Sequence, residues 1–433
     1  MTSRSFSLIL CGFALLLNDA NAEEKQPNIL FCMADDWGWP HAGVYGDKVV
    51  QTPTFDRIAK EGALFEHAFV SSPSCTPSRN AVVTGQQFYR LREGANLHGS
   101  LDVRFPNFIS LLAEAGYQVG HESKAWGPGN FKTGGYEQSP CGPKTTFKTF
   151  MAQRDADQPF CFWLGTSDPH RSYKKGSGKA AGMKLEDVYV PSFFPNTEEV
   201  RSDIADYYFE VQRWDKTVAT AMELLGKQGL LENTIVIMTG DHGMPFPRCK
   251  GNLYDWGVRV PLAIRWGEKI AAGGVEKGFV SLTDIAPTAL DAAGLSIPEE
   301  MTGQSLLPEI LGEDDGRSRV VFGRERHVAA QTNPSIVGYP SRAIRTEKWL
   351  LVMNLEAERW PAGVPDGAKH PMKKFADCDN GPTKSVIMAM PDSDEYRLCF
   401  AKRPALELYD VTKDPEQVNN LAGDPKLADV VER

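Results

Sequence analysis

Asn28-Ile29-Leu30-Phe31-Cys32-Met33-Ala34, running into Asp35-Asp36-Trp37-Gly38, decides how the rest of the chain is read. A strand with one wet face alternates apolar and polar residues, whereas this run is apolar at every step after Asn28. It therefore predicts a strand in the middle of a sheet covered on both faces. Asp35 and Asp36 then fall at its carboxyl end, where such sheets collect ligands. Two adjacent carboxylates repel each other unless a cation lies between them. A solvated acidic turn is the plainer reading of the pair.

Runs of the same kind recur outward from this one. Ala63–Val70 and Tyr117–Gly120 predict strands, as does Pro159–Gly165, which leads into Ser167-Asp168-Pro169-His170-Arg171. Thr234–Thr239 is the strongest β signal and leads into Gly240-Asp241-His242-Gly243. Helices are expected over Thr52–Gly62, Phe105–Ala115 and Glu198–Leu225. In the last, Ile204, Tyr207, Tyr208, Val211, Trp214 and Val218 recur at three- and four-residue steps, a core stripe. Asp203, Asp206 and Asp215 beside it read as surface or hydrogen-bonding residues. Residues 172–182 read as a loop. After a polar linker at 312–318, the short apolar runs 320–323, 342–345 and 349–353 predict a small antiparallel sheet.

Cys75-Thr76-Pro77-Ser78-Arg79 is the other decisive stretch. Pro77 suits the first turn of a helix, which continues to Thr84 and is closed by Gly85. Cys75 then lies at the positive end of that helix, which predicts a lowered pKa and a nucleophile. A buried structural cysteine in a helix-start turn is the alternative.

Composition sets the frame. The chain has 433 residues, beyond the size at which one core stops growing. It is 24% charged and 42% apolar with a net charge of −9, an ordinary globular composition that argues against general attraction to nucleic acid. Arg4, the apolar stretch Phe6–Leu17 and Ala20-Asn21-Ala22 read as a secretory signal, too short to span a bilayer. The expected organisation is a signal peptide at 1–22, a larger unit at 23–315 and a smaller one at 316–433. Export to the periplasm or medium, without stable membrane insertion, follows. An oxidising compartment permits disulfides, and Cys378 with Cys399 is the best candidate pair. Cys32 and Cys161 read as buried thiols.

Taken together, the motifs resemble the sulfatase family. C-x-P-S-R occupies Cys75–Arg79, T-P-x-x-D-x-x-A-x-x-G occupies Thr52–Gly62, and Gly116-Tyr117 precedes Lys124 at the family spacing. Gly240-Asp241-His242-Gly243, the run Tyr254–Leu262 and Glu407-Leu408-Tyr409-Asp410 follow in the family order. Asp168-Pro169-His170-Arg171 is similar to the heparan N-sulfatase (sulfamidase) branch. The resemblance implies an α/β fold: a large, mixed, mostly parallel sheet with helices on both faces, and a smaller C-terminal α+β unit with an antiparallel sheet.

It also implies a chemistry. A maturation enzyme oxidises Cys75 to formylglycine. Asp35, Asp36, the Cys75-derived group, Asp241 and His242 hold Ca²⁺, although imidazole is a less typical Ca²⁺ partner than oxygen, and His242 could bind the sulfate instead. Arg79 and Lys124 stabilise the nucleophile, His170 protonates the leaving group, Lys250 meets the sulfuryl oxygens, and His327 lies on the substrate side. The implied reaction is release of sulfate from a sulfated glycan, by N–S or O–S cleavage, with N-sulfoglucosamine favoured. A phosphodiesterase or phosphonate hydrolase of the same superfamily, or a non-catalytic glycan-binding relative, are the alternatives. The chain departs from the family pattern at Ser123, where a glycine is usual, and at Trp126, where a histidine is usual. His121 is one candidate to replace that imidazole.

Overall fold

The computed structural model describes residues 25–432 apart from 314–315, 333–336 and 368–373. The expected signal segment and part of the expected linker lie outside the described residues. Among the described residues, no helix is long and apolar enough to cross a membrane.

Seven strands form the larger sheet: β1 (Asn28–Ala34), β2 (Ala63–Phe69), β3 (Gln118–Glu122), β4 (Phe160–Gly165), β5 (Thr234–Gly240), β6 (Leu262–Arg265) and β7 (Gly274–Ser281). Their spatial order is β3-β4-β1-β5-β6-β2-β7. Only β6 runs against its neighbours, so the sheet is mixed and mostly parallel. The apolar run at β1 has the predicted place, paired in parallel with β4 on one side and β5 on the other. Its side chains divide between two cores. Ile29, Phe31 and Met33 enter one, and Leu30, Cys32 and Ala34 enter the other on the opposite face. This is why positions 29 to 34 of β1 are apolar without a break.

Register brings the strand ends level. Met33 pairs with Gly165 of β4 and with Thr239 of β5. The segments after β1, β4 and β5 therefore leave the sheet side by side. Gly165 permits this crowding: a β-carbon there would lie 2.0 Å from the Lys124 carbonyl oxygen of the segment after β3.

Helices cover both faces. Helix α1 (Pro53–Glu61) has no cap from Thr52 itself. Its first N–H groups instead donate to Asp215 on the long helix Glu198–Lys227, from Thr54 at 3.0 Å and Phe55 at 2.9 Å. An anion at a helix start is favoured by the dipole as well as by the hydrogen bonds. Helix α2 is Cys75–Thr84, with Cys75 its first residue after the extended Ser74. Helix α3 is Phe108–Glu114, shorter than expected at its start. Asn107 caps it by accepting from Ile109 N and Ser110 N, so the chain before it cannot join the helix. The expected loop at 172–182 contains a one-turn helix, Ser177–Ala180, held by Asp206, which accepts from Gly176 N and Gly178 N.

The smaller sheet is antiparallel: β8 (Arg319–Arg324), β9 (Ser341–Thr346), β10 (Trp349–Asn354) and β11 (Leu406–Asp410), in the order β11-β10-β9-β8. The expected Cys378–Cys399 pairing is not made. Both thiols are free and buried, and each donates to a backbone carbonyl at 3.6 Å, Cys378 to Asp379 and Cys399 to Phe193.

Candidate active site

The end of β2 and the start of α2 deliver Cys75 to the level strand ends. Its side chain is 3% exposed. Sγ lies 3.2 Å from Lys124 Nζ, 3.4 Å from His242 Nε2 and 3.5 Å from Asp35 Oδ1. Asp35, Cys75, Asp241 and His242 each present a donor atom within 4.8 Å of the others, so three segments distant in sequence converge on one point. The expected lowered thiol pKa is corrected here. Burial pushes the Cys75 thiol up, and Lys124 only partly opposes it. The helix start is real, but desolvation of a sealed thiolate outweighs it.

Arg79, one turn along α2, is fully buried and serves the other groups. Nε donates to Asp241 Oδ2 at 2.8 Å, Nη1 to the Lys124 and Ala125 carbonyls at 2.9 and 2.8 Å, and Nη2 to the Ala34 carbonyl at 3.3 Å. With its donors spent in this way, it positions Asp241 and the Lys124 segment. Despite burial, His242 and Arg79 hold the Asp241 carboxyl well below the usual range. Asp36 adopts a left-handed backbone, φ 72°, and its N–H donates to Asp241 Oδ1 at 2.8 Å. A non-glycine residue held there marks a position the surroundings over-determine.

Two ammonium groups meet these carboxylates. Lys124 Nζ lies 2.5 Å from Asp35 Oδ1. Lys250 Nζ, from the loop after β5, lies 2.9 Å from Asp36 Oδ2 and is 5% exposed. Burial opposes its charge, but Asp36 and Asp379 raise its pKa well above the ordinary lysine value. Asp36 Oδ1 is buried and accepts no hydrogen bond of good geometry, with His242 Nε2 3.2 Å away. That oxygen, with Asp35 and Asp241, suits a hard divalent cation, and Cys75 and His242 border the same point.

His170 and His327 stand on the outer side. The His170 side chain is 36% exposed, with Nδ1 2.5 Å from the Arg171 carbonyl and Nε2 3.9 Å from Asp36 Oδ2. Arg171 anchors this turn through Asp203, at 2.7 and 2.8 Å, and the Pro245 carbonyl at 2.8 Å. His327, beyond β8, is buried with Nδ1 2.8 Å from Ser74 Oγ. Burial and the neighbouring Lys250 hold its pKa well below the ordinary value, so it stays neutral.

Every expected site residue thus lies in or beside one cluster. Trp126, at the family histidine position, and His121, the candidate replacement, do not. Trp126 Nε1 donates to Asn80 Oδ1 at 2.6 Å, a support for α2, and His121 is occupied by the Gly142 carbonyl at 2.9 Å. Asp379 was not foreseen. Its Oδ2 lies 3.2 Å from Lys250 Nζ, and it groups with Asp36 and His170. The ammonium of Lys250 already bridges the two carboxylates of that group. An aspartate in a polar turn far along the chain carries no local signal.

Residues 27–295 match the family model described as Sulfatase, more than half of the 433 residues. The chain belongs to the sulfatase family. It is accordingly a hydrolase of sulfate esters or sulfamates. Residues 240–372 match the model described as N-sulphoglucosamine sulphohydrolase, C-terminal. The chain is 29% identical to the human N-sulphoglucosamine sulphohydrolase, over 98% of this chain and 90% of the relative. It is 27% identical to an ulvan-active sulfatase of Formosa agariphila, over 96% and 80%. Among solved structures, one in complex with its substrate D-glucosamine-2-N,6-O-disulfate superimposes with a TM-score of 0.66 at 19% identity, over 94% of this chain and 96% of that one. A phosphonate monoester hydrolase from Silicibacter pomeroyi has the same TM-score at 18% identity, over 94% and 93%. At these identities the fold is shared, and the chemistry rests on the site.

Proposed function

We propose that this protein releases sulfate from a sulfated glycan, with N-sulfoglucosamine as the favoured substrate, using Cys75 in its formylglycine form and Ca²⁺. The observation that carries this is the convergence of Cys75 with Asp35, Lys124 and His242, at 3.2 to 3.5 Å, inside a cluster that also holds Asp36 and Asp241. A thiol so deeply buried is a poor nucleophile. Oxidised by a maturation enzyme and hydrated, the same side chain offers two hydroxyls. One would form an S–O bond as the N–S or O–S bond to the sugar breaks and the leaving atom takes a proton from His170; loss of the other's proton would then expel sulfate and restore the aldehyde, a step a thiol cannot take. Calcium, held by Asp35, Asp36 and Asp241, would favour the ionised nucleophile.

The remaining roles belong to side chains. Lys124 and Lys250 face the Cys75 position and offset charge on the sulfuryl oxygens. Arg79 fixes the angle between Asp241 and the Lys124 segment. His170 carries its Nδ1 against the Arg171 carbonyl, which turns Nε2 toward the site to protonate the leaving atom. His327, neutral beside Ser74, lines the substrate side without adding charge.

Support for the N-sulfated subtype comes from the family match at 240–372 and the human relative. The phosphonate hydrolase with the same fold keeps a second reading open to test. Purified protein is assayed with N-sulfoglucosamine, 4-nitrophenyl sulfate and a 4-nitrophenyl phosphonate ester, alongside the mass of the Cys75 peptide. Sulfate release from the sugar is expected, together with a mass for formylglycine. Turnover of the phosphonate alone would establish the second reading. A correctly modified peptide with no turnover of any substrate would establish a non-catalytic relative.

A further inference from the structure

The cluster has a wall that the reaction described above does not use. Asp379 lies beyond both matched segments, 27–295 and 240–372, so neither assigns it a role. Its side chain is 18% exposed, and Oδ2 is buried without a hydrogen-bond donor, although Lys250 Nζ is at ion-pair distance, 3.2 Å. His170 and Asp36 place donor atoms within 4.8 Å of it.

The segment that carries it is built to stay in place. On one side Asp377 pairs with Arg324 at 3.0 Å and accepts from Val328 N at 2.5 Å. On the other, Lys384 Nζ donates to the Cys378 carbonyl at 2.7 Å and to Asn380 Oδ1 at 3.0 Å. Thr383 donates from N and Oγ1 to Asp203 Oδ2 at 3.1 and 2.7 Å, and Asp203 also holds Arg171. Gly381 lies so close that a β-carbon would meet Arg171 Nη1 at 2.5 Å. The turn of His170 and the turn of Asp379 are therefore fixed to one another.

We propose that Asp379 is a specificity-determining residue that reads the sugar on the leaving-group side of the scissile bond. This rests on the glycan sulfatase reading. A carboxylate repels a sulfuryl group, so the sulfur cannot be what it binds. Its side chain is partly exposed beside His170, and the carboxylate lone pairs that Lys250 does not engage take a hydrogen bond from a donor next to the bond being cut: the sulfamate N–H or an adjacent ring hydroxyl. Its charge also disfavours substrates with a second sulfate at that place. An aryl sulfate offers no such donor.

The test is the ratio of kcat/KM for N-sulfoglucosamine to kcat/KM for 4-nitrophenyl sulfate, in wild type, D379N and D379A, with thermal unfolding as a check on folding. D379A, which removes the acceptor, is expected to lower the ratio on the order of 10- to 100-fold, as loss of a hydrogen bond to a charged group would, and D379N, which keeps an amide oxygen but not the charge, by less. Loss of the Asp379–Lys250 pair affects both substrates and cancels in the ratio. A parallel fall with both substrates overturns the role of Asp379. Wild-type protein that hydrolyses the aryl sulfate but not the sugar overturns the substrate reading instead. If D379A does not fold, D379S carries the same comparison.

Discussion

The two sides of the cluster are constructed differently. The sulfur side is sealed: Cys75, Arg79, Asp36 and Asp241 are almost wholly buried, and they come from ends of neighbouring strands and the first turn of α2. The side proposed to face the leaving group is assembled from turns, His170 after β4, His327 after β8 and Asp379 further on, with His170 and Asp379 partly open to solvent. Chemistry common to many substrates needs one rigid arrangement, which level parallel strands provide. Recognition of a particular sugar is left to connections that can vary without disturbing the sheet.

The comparison can be broken most severely at Cys75. C75A should reduce sulfate release to background, at least about 10⁴-fold, because the nucleophile itself is gone. Its unfolding temperature should stay close to wild type. Retained turnover would mean that the attacking group lies elsewhere. R79A is the next largest. It leaves Asp241 and Asp35 buried without their guanidinium, which should cost about 3–5 kcal/mol in urea unfolding. R79K should not restore this, since one ammonium cannot replace donors directed at four acceptors.

On the open side the effects should depend on substrate. H170Q should lower kcat for the sugar by about 100-fold, and less for 4-nitrophenyl sulfate, whose leaving group needs no proton. Equal losses would place His170 in the sulfur side. The smallest effect is one of pH. Burial raises the Asp377 carboxyl to about 6, with Arg324 opposing it, above its unfolded value of 3.8. The folded protein then binds the extra proton, so this group's cost to stability is complete above pH 6 and is relieved as pH falls toward 3.8. D377N should therefore compare more favourably with wild type at pH 7.5 than at pH 5, by about 1 kcal/mol. Differential unfolding at the two pH values measures it.

Legibility in the sequence follows the same division. β1, β4 and β5 could be read because a strand buried on both faces has to be apolar throughout, and their polar ends followed at once. Asp35, Asp36, Asp241 and His242 sit at such strand ends, whereas Cys75 and Arg79 could be read through the C-x-P-S-R motif at a helix start. The direction of the thiol pKa could not be read, because it depends on how completely the surrounding elements close over Cys75. Asp215 could not be read as the cap of α1, because the bond joins residues 161 positions apart. Asp379 was illegible for the same reason: its meaning comes from Lys250 and His170, brought to it only by the fold.

Asp203 has a consequence for how such a protein can diverge. One carboxylate on the long helix ties the turn of residue 171 to the turn of residue 383, so neither can be redesigned alone. Lengthening or exchanging one would leave the other holding half of a broken contact. A descendant that acquires a new sugar would be expected to replace the two turns as a pair, leaving the strands untouched.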